Sequence, residues 1–373
     1  MLYPLKFLPL FKNKIWGGNR IAGLGFDYSP LENCGEMWIL SGVKDNESVV
    51  ADGALEGNNL SELLEIFMGD LVGEANYKHF GTDFPLLIKI IDAAEDLSIQ
   101  VHPDDVLARS RGMENGKSEM WYVMQTEEGS KIIDGFKTEV TQEEYEEFLR
   151  LGKIETILNE ERPQAGDVYH IPAGRVHALG KGLMVAEIQQ TSDCTYRIYD
   201  YNRKDAKGNL RELHTAEALA AIDFHPTKEA KTRYDYEPNR TAKLVDTPEF
   251  TTSLIVLDKP MRKDFSDLDS FVVYICIDGI AAVKALESIE PIHAGECVLL
   301  PAMVDNVELF AQGTAKLLEV YVDPKQYVGP DRAEGFDWLA EFTGEDSDEE
   351  DCHCGHGHSH CDCGDDDCHC HEH

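Results

Sequence analysis

Apolar residues in this chain fall in short runs broken by Gly, Pro and Asp, a rhythm that predicts strands at 84–91, 97–102, 121–125, 167–171 and 183–189. Helix-period stretches are fewer and cover Leu60–Phe67, 141–151 and Thr215–Ala221. The middle one opens Thr141-Gln142-Glu143-Glu144, which places Thr141 as cap and Glu144 three residues on as the second half of a capping box. Its carboxylates read as a solvated face. Many short strands with few helices predict a mainly β chain, a sandwich or barrel with a few added helices.

A repeat sharpens this picture. Ala165-Gly166-Asp167-Val168-Tyr169-His170-Ile171-Pro172-Ala173 aligns without a gap to Ala294-Gly295-Glu296-Cys297-Val298-Leu299-Leu300-Pro301-Ala302. Each copy joins an acidic turn, a buried strand and a Pro-Ala corner, the return hairpin of a jelly-roll barrel, so two barrels are expected. Carried onward, the alignment sets Asn306 against His177 and leaves the second barrel without that histidine. Pro238-Asn239-Arg240 reads as the connector, giving a first domain at 1–240 and a second at 241–342. After that the composition changes: 345–351 is acidic, and 352–373 is built of Cys, His, Gly, Asp, Ser and Glu. Without apolar side chains the segment 343–373 is expected to be disordered.

Candidate chemistry comes from Ser98-Ile99-Gln100-Val101-His102-Pro103-Asp104. In an extended strand Gln100 and His102 share one face while Ile99 and Val101 pack the other way. Glu119, within Lys117-Ser118-Glu119, and His177, within Pro172-Ala173-Gly174-Arg175-Val176-His177, complete a ligand set of Gln, His, Glu and His. Two imidazoles with oxygen donors suit zinc, with manganese, iron or cobalt also compatible. Because Gln100 is neutral, Glu119 is the one anion and the centre keeps net positive charge. One metal ion per chain is expected.

Composition excludes several partners. The chain has 34 Lys and Arg against 70 Asp and Glu, a formal charge of -36, which repels nucleic acid and anionic membrane. No run of apolar residues approaches the length of a membrane span, and Met1-Leu2-Tyr3-Pro4-Leu5-Lys6 lacks the pattern of a signal peptide, so a cytoplasmic protein is expected. Cys34, Cys194, Cys276 and Cys297 follow no framework of spacings and read as reduced, mostly buried thiols.

Four segments carry a family resemblance: Leu87-Ile88-Lys89, Ser98 to Asp104, Lys117-Ser118-Glu119-Met120, and Gln189-Gln190-Thr191-Ser192-Asp193-Cys194-Thr195-Tyr196-Arg197-Ile198-Tyr199-Asp200-Tyr201. In order and spacing they closely resemble the type I mannose-6-phosphate isomerases in their shorter bacterial form, over roughly 4–328. Trp16-Gly17-Gly18 resembles the family's opening segment, and Met37 in Gly35-Glu36-Met37-Trp38 departs from it. The resemblance implies two cupin barrels, an aldose-ketose isomerase acting on mannose 6-phosphate and fructose 6-phosphate through an enediolate, and a small sugar phosphate as partner. It leaves the oligomeric state open.

Phosphate recognition needs fixed cations, and Lys89, Lys117 and Arg197 are the candidates, with Ser98 beside them as a further substrate contact. Arg203 and Arg211 read as structural. The resemblance places Glu187 and Asp193 in the cleft beside Arg197. Lys117, Glu187, Asp193 and Arg197 are therefore the candidates for catalysis, with the proton-transfer base open between Lys117 and Glu187. Tyr196, Tyr199 and Tyr201 read as strand packing. The tail's thiolates and imidazoles could hold additional metal ions. Two rival readings remain: a non-haem iron oxygenase on a cupin fold, which also uses two His and a carboxylate, and a metal-storage protein without enzymatic activity.

Overall fold

The computed structural model describes residues 2–204 and 208–327; the Cys/His-rich tail and the expected end of the second domain lie outside them. The chain is mainly β, built from two pairs of antiparallel sheets and a small two-stranded one, Phe7–Leu8 with Val49–Val50. In the first pair a seven-stranded sheet runs, in spatial order, Lys231–Thr232, Val168–Ile171, Glu119–Thr126, Leu183–Gln190, Leu86–Ala93, Glu36–Ser41, Leu10–Lys12. It faces a five-stranded sheet ordered Tyr196–Tyr199, Ile99–Val101, His177–Leu179, Ile132–Phe136, Leu158–Glu161.

The second pair opens with Thr241–Asp246. Its larger sheet is ordered Thr241–Asp246, Thr251–Leu257, Ala315–Tyr321, Val272–Asp278, Cys297–Leu300, and its smaller one Met261–Asp264, Asn306–Ala311, Ile280–Ala285, Ser288–His293. Leu5 crosses over to it: its N–H donates to the Leu299 carbonyl at 2.8 Å and its own carbonyl accepts from Leu299 at 2.9 Å. The start of the chain thus pairs with the edge of a sheet made mostly from its second half.

Sheet packing explains the hydrophobic runs. On one face of the seven-stranded sheet, Ile91, Trp121, Val123 and Val185 bury against Ile132 and Leu179 of the facing sheet. On the other, Ile88, Ile90, Met120, Tyr122 and Ile188 bury against Leu254, Val273, Ile275, Leu318 and Val320 of the second pair. A sheet covered on both sides cannot show alternation, so Leu86–Ala93 reads as nearly continuous apolar sequence. Lys89 interrupts that run on the face turned toward the first pair's interior.

The expected helices are Leu60–Phe67, Gln142–Arg150 and Thr215–Ala221. Tyr145 and Ala218, from the last two, pack on Ile99, Val101, Ile133 and Phe136, the outer face of the five-stranded sheet. The Thr141 capping box is present, with Thr141 Oγ1 accepting from the Glu144 N–H at 3.2 Å and Glu144 accepting from Thr141 N–H at 2.9 Å. Thr141→Ala is expected to lower stability by about 1 kcal/mol and leave turnover unchanged. An unfolding midpoint equal to the parent's would show that the box adds nothing.

Sequence reading missed the helices Gly69–Val72, Glu74–Phe80 and Asp105–Ser110. The last is capped by Asp104, whose side chain accepts from Leu107 N–H at 2.7 Å. Here the Pro-Asp pair that ends the site strand also starts a helix. The four body cysteines within the described residues are free, and three of them are buried. Tyr196 and Tyr199 pack in the outer core, as expected, with Tyr201 edge-on to Tyr199 at 5.0 Å between ring centres.

The repeat is structural as well as sequential. Both copies turn on a glycine with positive φ, Gly166 at 94° and Gly295 at 92°, and lead into the strands Val168–Ile171 and Cys297–Leu300. Beyond the Pro-Ala corner the gap-free alignment slips. His177 is buried, whereas Asn306 is exposed and its neighbour Val307 faces the interior of the second pair. A slip of one residue in a strand turns each side chain to the opposite face, so Val307, not Asn306, stands where His177 does. Asn306→Ala is then expected to change stability by no more than about 0.5 kcal/mol and leave bound metal unaltered; loss of metal would contradict the slip.

Candidate metal centre

Gln100 lies mid-strand in Ile99–Val101, with His102 just past its end, and it is the cross-strand partner of both His177 and Arg197. Glu119 opens the strand Glu119–Thr126 on the facing seven-stranded sheet. The centre therefore bridges the two inner faces of the first pair.

His102 Nε2 is 3.4 Å from Glu119 Oε2, and His177 Nε2 is 3.3 Å from Glu119 Oε1. One ligand atom from each of the three residues falls within 4.8 Å of the others. The Gln100 amide nitrogen lies 3.2 Å from His177 Nε2, so its amide reaches the same point. All three ligand candidates of the triad are buried. Burial, reinforced by the Lys117 ammonium, pushes His102 down to about 3, and burial also lowers His177, so both rings are neutral with lone pairs available. Burial alone would raise Glu119, but the Lys117 ammonium beside it holds it well below the usual carboxylate range.

The tautomer of His177 follows from its neighbour. Its Nδ1 is 2.7 Å from the Arg175 carbonyl, which can only accept, so Nδ1 donates and Nε2 turns its lone pair to the centre. Lys117 Nζ stands 2.9 Å from Glu119 Oε2 and 3.1 Å from His102 Nε2. That ion pair lacks hydrogen-bond geometry, and neither Glu119 oxygen has a hydrogen-bond partner. Lys117 offsets part of the charge, but a buried carboxylate whose two oxygens accept no hydrogen bond, aimed between two neutral imidazoles, is left under-satisfied. His102, Glu119 and His177 therefore fit a divalent metal ion.

A charged layer lies behind the triad. Glu187 Oε1 accepts from Lys89 Nζ at 3.0 Å and its Oε2 from Trp121 Nε1 at 2.8 Å. The Trp121 ring meets His177 edge-on, 5.5 Å between centres. Burial opposes the charge on Lys89, but Glu187 and Glu36 hold its pKa above the ordinary lysine value. Glu36 in turn accepts from Trp38 Nε1 at 2.7 Å and pairs with Lys14 at 3.0 Å; against its burial, Lys89 and Lys14 bring it to about 2.

The remaining candidates are spread around this core. Ser98 is buried directly before the Gln100 strand. Arg197 is half-buried, with Nη1 donating to the Glu212 carbonyl at 2.8 Å and a buried Nε that has no partner. Asp193 is exposed in the bend after Leu183–Gln190, and no bond joins it to the triad. Arg203 and Arg211 both pair with Asp200, Arg211 at 3.2 Å, in keeping with a structural role.

Comparison with known proteins gives this arrangement a family. Residues 5–128 match the model of the phosphomannose isomerase type I catalytic domain. The chain is 36% identical over 301 residues to the mannose-6-phosphate isomerase ManA of Bacillus subtilis, covering 80% of this chain and 93% of that protein. The chain belongs to the type I phosphomannose isomerase family. A further relative, the mannose-6-phosphate isomerase of Streptococcus mutans, is 38% identical over 253 residues, 67% of this chain and 78% of that protein. Among solved structures, the mannose 6-phosphate isomerase from Bacillus subtilis aligns with a TM-score of 0.76 and 32% identity, over 85% of this chain and 99% of that one. A phosphomannose isomerase variant from Salmonella typhimurium aligns with a TM-score of 0.71 at 17% identity, over 86% and 99%, a likeness of fold alone.

Within this isomerase-family chain, sequence reading overlooked Trp121 and Glu36. A signal for Trp121 was present, since Lys117, Glu119 and Trp121 alternate on one strand face. For Glu36 there was none: only the folded chain brings Glu36–Ser41 beside Leu86–Ala93, setting Trp38 across from Lys89.

Proposed function

We propose that this chain interconverts mannose 6-phosphate and fructose 6-phosphate, using one divalent ion, zinc, held by Gln100, His102, Glu119 and His177. The observation that carries the reading is a buried His-Glu-His triad whose carboxylate accepts no hydrogen bond, in a chain 36% identical to ManA over 301 residues. An aldose and its ketose differ by one proton moved between adjacent carbons, with an enediolate between them. A bound divalent ion would polarise the sugar oxygens and stabilise the negative charge that develops.

The chain's own residues supply the rest. Neutral Gln100 leaves Glu119 as the single anionic ligand, so the centre retains positive charge for the substrate. Lys117, which stands against Glu119 and His102 at the centre, is assigned to hold or move the proton. Arg197, across from Gln100 with an unpaired Nε, is assigned to grip the phosphate, with Ser98 and Lys89 completing the substrate wall and Asp193 at its outer rim. Residues 1–240 form the domain that carries this site, and 241–342 a second one without it. The protein works in the cytoplasm; among the described residues no helix is long and apolar enough to cross a membrane. The Cys and His of 352–373 take up additional metal.

The test is a coupled assay that follows fructose 6-phosphate formed from mannose 6-phosphate, run on the purified chain before chelation, after it, and after zinc is restored. Activity lost and regained is expected. No conversion at any metal load would end this reading.

A further inference from the structure

The second pair of sheets contains a copy of the site's surroundings with the metal ligands removed. The repeat equates Val168 with Cys297. Val168 pairs with Tyr122 and Cys297 with Ile275, so along the neighbouring strand Trp121 matches Tyr274 and Glu119 matches Val272. One strand further, Glu187 stands opposite Trp121 and Glu319 stands opposite Tyr274. On the facing sheets Gln100 is opposite His177, and Lys263 is opposite Val307.

Val272 and Val307, both buried, thus replace Glu119 and His177. What persists is a carboxylate held by an aromatic donor and a lysine, although Lys263 comes from the facing sheet, at the place of Gln100, and Ser253 stands where Lys89 does. Glu319 Oε2 accepts from the Tyr274 hydroxyl at 2.7 Å and Oε1 from Lys263 Nζ at 2.9 Å, just as Glu187 takes a bond from Trp121 and one from Lys89. The physical need is common to both halves: a buried indole N–H or phenol O–H requires an acceptor, and a buried carboxylate requires a cation. A carboxylate that takes an aromatic donor and a lysine equally where no metal triad exists answers that need and not the transfer of a proton.

What differs is the neighbour of the aromatic ring. In the first pair Trp121 lies edge-on to His177, whose other nitrogen is already fixed by the Arg175 carbonyl. We infer that Glu187 is a positioning residue that holds the Trp121 indole against the His177 ring and does not carry the proton in the isomerisation. The second half of this statement rests on the proposed isomerase activity; the first does not.

The test compares Glu187→Gln, which keeps an acceptor for Trp121 but cannot act as a base, with Glu187→Leu, which keeps neither. Two readouts are taken on the full chain: the pH profile of kcat, and the indole N–H resonances of ¹⁵N-tryptophan protein with and without Zn²⁺. The Trp121 signal among the four tryptophans is assigned through Trp121→Phe. Glu187→Gln is expected to stay within about tenfold of the parent kcat with an unchanged pH profile, because loss of a base costs about 10²–10⁴. Its Trp121 N–H stays protected from exchange and still moves on adding Zn²⁺. In Glu187→Leu that protection and that Zn²⁺ response are lost, and kcat falls by about 10–100-fold, the usual effect of freeing a metal ligand's support.

Should Glu187→Gln fail to fold, Trp121→Phe decides: it leaves Glu187 and Lys89 in place, so a base would keep its kcat, whereas positioning predicts a loss of about tenfold or more at unchanged KM. Glu187→Gln as inactive as Glu187→Leu, with a missing limb in its pH profile, would overturn the inference. A parent chain without isomerase activity would sink the functional reading alone, since the indole resonances would still decide whether Glu187 holds Trp121.

Discussion

His177→Ala is expected to lower kcat by about 10³-fold or more and to leave the chain with about one zinc ion fewer than the parent, because no backbone group can replace a ligating imidazole nitrogen. The geometry makes this site intolerant. His177 Nε2 faces Glu119 at 3.3 Å while Nδ1 is engaged by Arg175, so removing the ring deletes a ligand and also leaves the Arg175 carbonyl without that donor. Excess zinc should not restore turnover, since Glu119 and His102 would have to hold the ion with Gln100 alone. The measurement is total zinc per chain beside kcat, with Asn306→Ala as the matched variant; comparing differences cancels whatever metal the tail binds. Parent-level zinc and turnover in His177→Ala would remove this residue from the centre, and His102→Ala should behave alike.

The second large effect is expected at Arg197. Arg197→Lys keeps the charge but removes the planar fork that can grip two phosphate oxygens, so KM for the sugar phosphate should rise about tenfold, the equivalent of one charge-assisted hydrogen bond. Some loss of kcat should accompany it, because grip on the remote phosphate holds the reacting carbons in place. Position supports the expectation: Arg197 is paired with Gln100 across the strands, and its Nε is buried with no partner. Initial rates against substrate at low and high salt are the check. Kinetics equal to the parent's at both would place Arg197 outside the substrate site.

The ligand triad was legible because each member sits in, or directly after, a short and strongly patterned strand. Alternation alone put Gln100 and His102 on one face, and Lys117 and Glu119 on another. The same rule misled at the second copy of the repeat. A gap-free alignment assumes that every residue past the corner keeps its face, and a one-residue slip there exchanged Asn306 for Val307 as the counterpart of His177. Glu187 shows a third case: its partners Trp121 and Lys89 lie on two flanking strands far apart in sequence, and only the sheet order reveals that both its oxygens are taken.

By itself, then, the sequence determined the elements and their faces: mainly β structure, the helices at Leu60–Phe67 and Thr215–Ala221, the capped helix after Thr141, and the residues able to bind metal. These are local properties, written in period, capping and side-chain chemistry within a few residues of one another. Tertiary structure decided which faces meet. It set Glu119 of one sheet between His102 and His177 of the other, buried the triad so that both rings stay neutral, and backed it with Lys89, Glu187 and Trp121. The reason is physical: strand order and register arise from burying whole sheet faces against each other, a sum over distant residues that no local pattern contains.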